Sequence, residues 1–187
     1  MSNNTFDSTK ERLSLSPLNG ESYLIPDNYD DKKNIDTFLN RNSGKQVVVI
    51  QGLGFVGSAM AVVCANAIDT EYAVIGIDLP NEANFWKIKS INDGIFPLVA
   101  EDPKIEEYFN SSLEKGNFIA TFDEYAYSLA DVIVVDINLD VKIDFSDDSE
   151  IPSYDVDLSA FSDAIKSISM NCKPDALILL ETTVPPG

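Results

Sequence analysis

Short runs of apolar, often β-branched residues recur along this chain, separated by segments whose apolar positions repeat at helical spacing. The first run, Gln46-Val47-Val48-Val49-Ile50-Gln51, shows no alternation with polar residues. A strand covered on both faces, as in a parallel sheet, reads that way. Tyr72 to Asp78 is a second such run and ends in an acid. Phe118-Ile119-Ala120 is a short third, Asp131 to Asp136 a fourth and Ala176 to Leu180 a fifth. Helical segments lie between them. Phe55 to about Ala67 is rich in Ala, Val and Met. Ala83 to Ile91 stops near Gly94 and Pro97. Pro103 to Leu113 has Pro at its start and Gly116 beyond its end, the usual asymmetry of a helix. Asp123 to Leu129 predicts a short helix, and Leu158, Phe161, Ile165 and Ile168 repeat at helical spacing. Strand and helix thus alternate. With right-handed crossovers, the alternation predicts a doubly wound α/β fold around a parallel sheet.

Two stretches depart from this pattern. Residues 1–45 are polar and are expected to form an N-terminal extension to one folded domain over 46–187. The extension reads as a tail or a loosely docked segment. Within it, Tyr23-Leu24-Ile25-Pro26 would dock on a neighbour and Ile35 to Leu39 would form a short helix. A mobile leader with no role stays open beside that reading. Asp140 to Asp157 contains six Asp, one Glu and a single Lys. A solvated connection is the favoured reading and a lid the second. The acid spacing does not fit an EF-hand calcium loop.

Charge narrows the functional classes. The formal net charge is −18. Such a surface repels phosphate backbones and anionic lipid, so nucleic acid and membrane surfaces are not expected partners. The chain has no His, which removes an imidazole base and a His-ligated metal, and no metal site is expected. Cys64 and Cys172 suggest a reducing compartment without a disulfide framework. Cys64, in an Ala-Val-rich segment, reads as core packing. No apolar run is long enough to span a bilayer, and the polar N-terminus lacks a signal-peptide core, so the cytoplasm is expected.

The chemistry gathers after the first strand. Gly52-Leu53-Gly54-Phe55-Val56-Gly57 is a GxGxxG between a predicted strand and a predicted helix, the context that gives this common pattern meaning. Gly52 allows the tight turn, Gly54 lets backbone approach a pyrophosphate, and Gly57 lets helix and strand pack closely. The amides of Phe55 and Val56 open the helix, whose N-terminal partial positive charge favours phosphate. An acidic protein can hold a dianionic linker in this way. Asp78 follows Gly57 by 21 residues. A carboxylate there accepts hydrogen bonds from ribose hydroxyls and repels a 2′-phosphate, which predicts NAD rather than NADP. Lys87, on the next helix, either reaches back towards the cofactor or is a solvated surface lysine.

Val47 to Gly57, Asp78, Ser90-Ile91-Asn92-Asp93-Gly94 with Pro97, Ala130 to Val135, Asp157-Leu158-Ser159 and the closing Glu181-Thr182-Thr183-Val184-Pro185-Pro186-Gly187 together resemble the UDP-glucose/GDP-mannose dehydrogenases. The closing Thr-Val-Pro-Pro-Gly is the most specific of these. The resemblance implies a Rossmann-type domain that stops before its sixth strand. It also implies a four-electron oxidation of a nucleotide sugar to a uronic acid with two NAD, in a full-length enzyme that is a homodimer or larger. Carried over by position, Thr183 would help hold a catalytic water near the nicotinamide, Asp78 would bind ribose, and Lys87 would stand at the cofactor. Where the family commonly has Pro-Thr after the fourth strand, this chain has Asp136-Ile137-Asn138-Leu139, in which Asn138 would replace a hydroxyl. The family's nucleophilic cysteine lies in a glycine-rich motif of its C-terminal half, which neither Cys64 nor Cys172 matches. A stand-alone NAD-binding or regulatory module is the alternative from another class. The NAD domain of another dehydrogenase is a third reading.

Overall fold

The computed structural model describes residues 11–144 and 153–182. Two short strands, β1 (Leu13–Leu15) and β2 (Ser22–Leu24), pair antiparallel and precede helix α1 (Lys32–Arg41). Then β3 (Gln46–Gln51), α2 (Phe55–Ala65), β4 (Tyr72–Ile77), α3 (Phe85–Asn92), α4 (Pro103–Lys115) and β5 (Phe118–Thr121) follow. A 3-10 turn (Glu124–Leu129) leads into β6 (Val132–Val135). A separate antiparallel hairpin, β7 (Asp140–Asp144) and β8 (Ser153–Asp157), comes next, followed by α5 (Ser159–Asn171) and β9 (Leu177–Leu180). The main sheet has the order β5-β4-β3-β6-β9, with every neighbour parallel. This is the Rossmann-type architecture that the strand–helix alternation predicts.

The unbroken apolar runs have a simple cause. Successive strand residues point to opposite faces, and both faces are covered. On one face Val48, Ile50 and Val74 pack with Ala61 and Val62 of α2, Phe85 and Ile88 of α3 and Phe109 of α4. On the other, Val49, Ala73, Ile75 and Ile133 pack with Ile35 and Phe38 of α1, Tyr127 of the 3-10 turn and Ile168 of α5. Helix ends obey local chemistry too. Asp102 accepts from the Lys104 amide at 2.9 Å, Pro103 opens α4, and Gly116 closes it in the left-handed region at φ 61°.

Two segments turned out more structured than their polarity suggests. The polar N-terminal stretch reads as a tail or a loosely docked segment, but residues 11–41 are packed on the domain. Ile35 is fully buried, and the hidden Ser14 hydroxyl donates to the Glu82 carbonyl at 2.8 Å while accepting from the Trp86 amide at 3.0 Å. Few apolar residues suffice when each is spent on the core. The acidic stretch after Leu139, expected as a solvated connection, contains the β7–β8 hairpin, with Val141 opposite Val156 and Ile143 opposite Tyr154. Its apolar residues alternate with polar, mostly acidic ones at a period of two, and the acid count masked that period.

Candidate functional site

The carboxyl ends of β3, β4 and β6 lie side by side, since Gln51 pairs with Ile77 on one flank and Val135 on the other. The connection after β3 leads through α2 on one face and that after β6 through α5 on the other, so the loops part and a crevice opens. The crevice is a cleft of about 1100 Å³, large enough for a dinucleotide-sized molecule. Gly52, Gly54, Phe55 and Val56 form its floor. Asp78 and Lys87 stand on the β4 side, and Asp136 and Asn138 on the β6 side. Gly57 lies beneath, buried in the first turn of α2. The structure therefore brings together every residue singled out in the sequence except Thr183, which lies outside the described residues.

The three glycines differ in why they are glycine. Gly52 has φ 98°, and a Cβ there would stand 1.9 Å from the Asp136 carbonyl oxygen. At Gly57 a Cβ would meet the Gly52 carbonyl oxygen, again at 1.9 Å. Both are required by the fold. Gly54 has an ordinary extended backbone, φ −76° and ψ −163°, and nothing within 4 Å of where a Cβ would lie. No contact inside the protein explains its missing side chain. It faces the open cleft at the N-cap of α2, where no side chain caps the helix. The free space and the helix amides suit close approach of an anionic group.

Asp78, almost buried, is held rather than free. Its Oδ2 accepts from the Leu53 amide at 3.1 Å and its Oδ1 from the Leu79 amide at 2.7 Å. These bonds tie the end of β4 to the glycine loop and fix the carboxylate at the cleft wall. Lys87 Nζ lies 3.4 Å from Asp78 Oδ2 and donates to Asn84 Oδ1 at 2.9 Å. Lys87 is thus a cleft residue and not a solvated lysine. It is the one lysine or arginine among the described residues lining the cleft, against Asp78, Asp123, Glu124, Asp136 and Asp163.

Several cleft residues have no signal in a motif. The Tyr127 hydroxyl donates to the Gln51 side chain at the end of β3. Burial, then the charges of Glu124 and Asp78, push its phenol far above the usual range, so it stays a neutral donor. Asp136 sits against the first turn of α2, its Oδ2 3.1 Å from where a Gly57 Cβ would stand. Burial raises its carboxyl above the ordinary range and the Glu181 charge adds to the rise, against the pull of the Gly57 amide. Thr182 anchors the loop after β6 by accepting from the Ile137 amide at 3.0 Å. Phe122 and Tyr29 wall the β4–β5 end. Only their three-dimensional neighbours reveal these roles.

The family model for the UDP-glucose/GDP-mannose dehydrogenase family, NAD binding domain, matches residues 45–187. The chain belongs to that family. It carries the family's NAD-binding domain, on the fold described above. UDP-N-acetyl-D-mannosamine dehydrogenase of Pyrococcus horikoshii is 26% identical over 140 residues, which are 75% of this chain and 29% of that protein. Among solved structures, NDP-N-acetyl-D-galactosaminuronic acid dehydrogenase from Methanosarcina mazei Go1 is similar at 28% identity and a TM-score of 0.61, over 82% of this chain and 30% of that one. GDP-mannose dehydrogenase from Pseudomonas aeruginosa is similar at 25% identity and a TM-score of 0.58, over 75% and 29%. The chain spans under a third of the length of these dehydrogenases. Among the described residues, no helix is long and apolar enough to cross a membrane, and no group of three or more His, Cys, Asp or Glu could hold a metal.

Proposed function

We propose that this chain is the NAD-binding half of a nucleotide-sugar 6-dehydrogenase that oxidises a UDP- or GDP-sugar to its uronic acid. Gly54 carries the reading: its side chain is absent where the protein itself needs no absence, beside a helix N-terminus open to the cleft. Gly52, Gly54, Phe55, Val56 and Gly57 hold the pyrophosphate, by turn geometry and by helix amides. Asp78 takes the adenosine ribose, with Lys87 beside it. Asn138 lies on the nicotinamide side, on the loop that Thr182 pins. Thr183, next in sequence, holds the catalytic water. Bound NAD supplies the hydride acceptor. The nucleophilic cysteine comes from a second half, since Cys64 is partly buried with its thiol pushed up by burial, the reverse of an activated thiolate. The full enzyme works in the cytoplasm as a homodimer or larger, and this chain alone turns over no sugar.

The rival reading, a stand-alone NAD-binding module, calls for a covered sheet edge. Leu177 to Leu180 of β9 are each 40–54% exposed at that edge, which favours the dehydrogenase half. Calorimetric titration with NAD and NADP tests the proposal. NAD is expected to bind more tightly, on the order of tenfold, because the Asp78 carboxylate opposes a 2′-phosphate. Equal affinities would remove the role given to Asp78, and no binding of NAD would overturn the site.

A further inference from the structure

The family's matched span begins at residue 45, yet Tyr29, well before it, lines the cleft. Its position is built, not incidental. On one side, Ile25 is buried in the core with α2 and α3. On the other, the Asp31 amide donates to Asp123 Oδ2 at 2.8 Å, and Asp31 Oδ2 accepts from the Thr121 hydroxyl at 2.7 Å. Tyr29 is thus suspended between two anchors over the loop that follows β5. Its ring meets Phe122 edge-on, with centroids 6.1 Å apart, and Phe122 leans on Phe85 at 5.9 Å. The Tyr29 hydroxyl accepts from Arg12 Nη1 at 3.2 Å, and Arg12 Nη2 reaches the Pro80 carbonyl at 3.5 Å. The N-terminal segment is thereby clamped to the loop after β4, which carries Asp78.

Despite these contacts Tyr29 is 47% exposed, and Leu79, also lining the cleft, is 54% exposed. Two apolar surfaces face one space. That space lies beyond Asp78 as seen from the glycine loop, on the β4–β5 side of the switch point. If Asp78 holds the adenosine ribose, the base that follows the ribose falls there.

We propose that Tyr29, held by Arg12 and Asp31, forms with Leu79, Pro80 and Phe122 the seat for the adenine ring of the cofactor. The inference rests on the cofactor reading given above and deepens it. The N-terminal segment then serves the site as well as the core, as a positioning wall that the family's matched span does not contain. A flat π-face suits a purine, which stacks on aromatic rings without needing a charge. In a cleft this acidic, a neutral stacking contact also binds where cations are few.

The test is calorimetric titration of the 187-residue chain and its variants with NAD, ADP-ribose and nicotinamide mononucleotide. Tyr29→Ala should weaken NAD and ADP-ribose alike by roughly tenfold, the size expected for one lost base–aromatic stack. It should leave nicotinamide mononucleotide unchanged. Tyr29→Phe keeps the ring and should stay within about twofold of the unaltered chain. Should Tyr29→Ala fail to fold, Tyr29→Leu keeps the volume without the π-face and should show the same selective loss. ADP-ribose affinity unchanged in Tyr29→Ala or Tyr29→Leu would overturn the seat while leaving the cofactor reading intact. An equal loss for all three ligands would overturn it too, because the effect would then be structural. An unaltered chain that binds neither NAD nor ADP-ribose would overturn both.

Discussion

β4 and β9 are both short apolar runs in one parallel sheet, yet they meet opposite surroundings. Ala73 to Ile75 of β4 are fully buried, between α2 and α3 on one face and α1 on the other. Leu177 to Leu180 of β9 stand 40–54% exposed, with β6 on one side only. The β4 side is closed by material ahead of the family's matched span, α1 over the sheet and Tyr29 over the cleft. Among the described residues, no strand pairs with the outer edge of β9. Apolar composition predicts that a strand exists. Whether that strand is buried depends on what the rest of the molecule lays over it.

The largest effect that would sharpen this contrast comes from the glycine loop joining the two sides. Gly52→Ala and Gly57→Ala each drive a Cβ to 1.9 Å from a carbonyl oxygen. Each should cost on the order of 4 kcal/mol or prevent folding, read as loss of the cooperative thermal transition. Next, Ile35→Ala removes a fully buried side chain of α1 and should cost about 2–5 kcal/mol in denaturant unfolding. Ile178→Ala on β9, 40% exposed, should cost under about 1 kcal/mol. Equal costs for the two would break the comparison. The smallest effect is electrostatic. The folded-state carboxyl of Asp136 is held above its unfolded value, chiefly by burial. Its charged form therefore costs stability above the folded pKa, and the cost is relieved as pH falls through that raised pKa towards the ordinary carboxylate range. Asp136→Asn should flatten this part of the pH–stability curve. It should also tighten NAD binding a few-fold at neutral pH, by removing a charge at the α2 N-terminus. Weaker binding in that variant would show Asp136 to be a cofactor contact instead.

Much of the fold was legible because parallel strands buried on both faces leave unbroken apolar runs. β3 spans Gln46–Gln51, as the run predicts. The glycine loop and Asp78 were legible for a different reason: backbone geometry and a fixed reach dictate their spacing. Lys87 was half legible, since spacing left it either reaching back over the strand ends or solvated, and only the Asn84 and Asp78 contacts bring it into the cleft. Tyr29, Phe122 and Tyr127 were not, because each acts through neighbours distant in sequence. α1 was underrated because a helix covering one face needs only Ile35 and Phe38 to bury. The β7–β8 hairpin was obscured because charged residues fill most alternate positions of two short strands.

On the function proposed above, the loop between β3 and α2 is shaped for a ligand as well as for the fold. Gly54→Ala tests it most directly, by NAD titration alongside thermal unfolding. The backbone at Gly54 accepts alanine and nothing in the protein crowds the new methyl group, so stability should stay within about 1 kcal/mol of the unaltered chain. NAD affinity should fall by about tenfold or more, as the methyl group holds the pyrophosphate off the helix amides. Unchanged affinity in a folded Gly54→Ala chain would contradict the account.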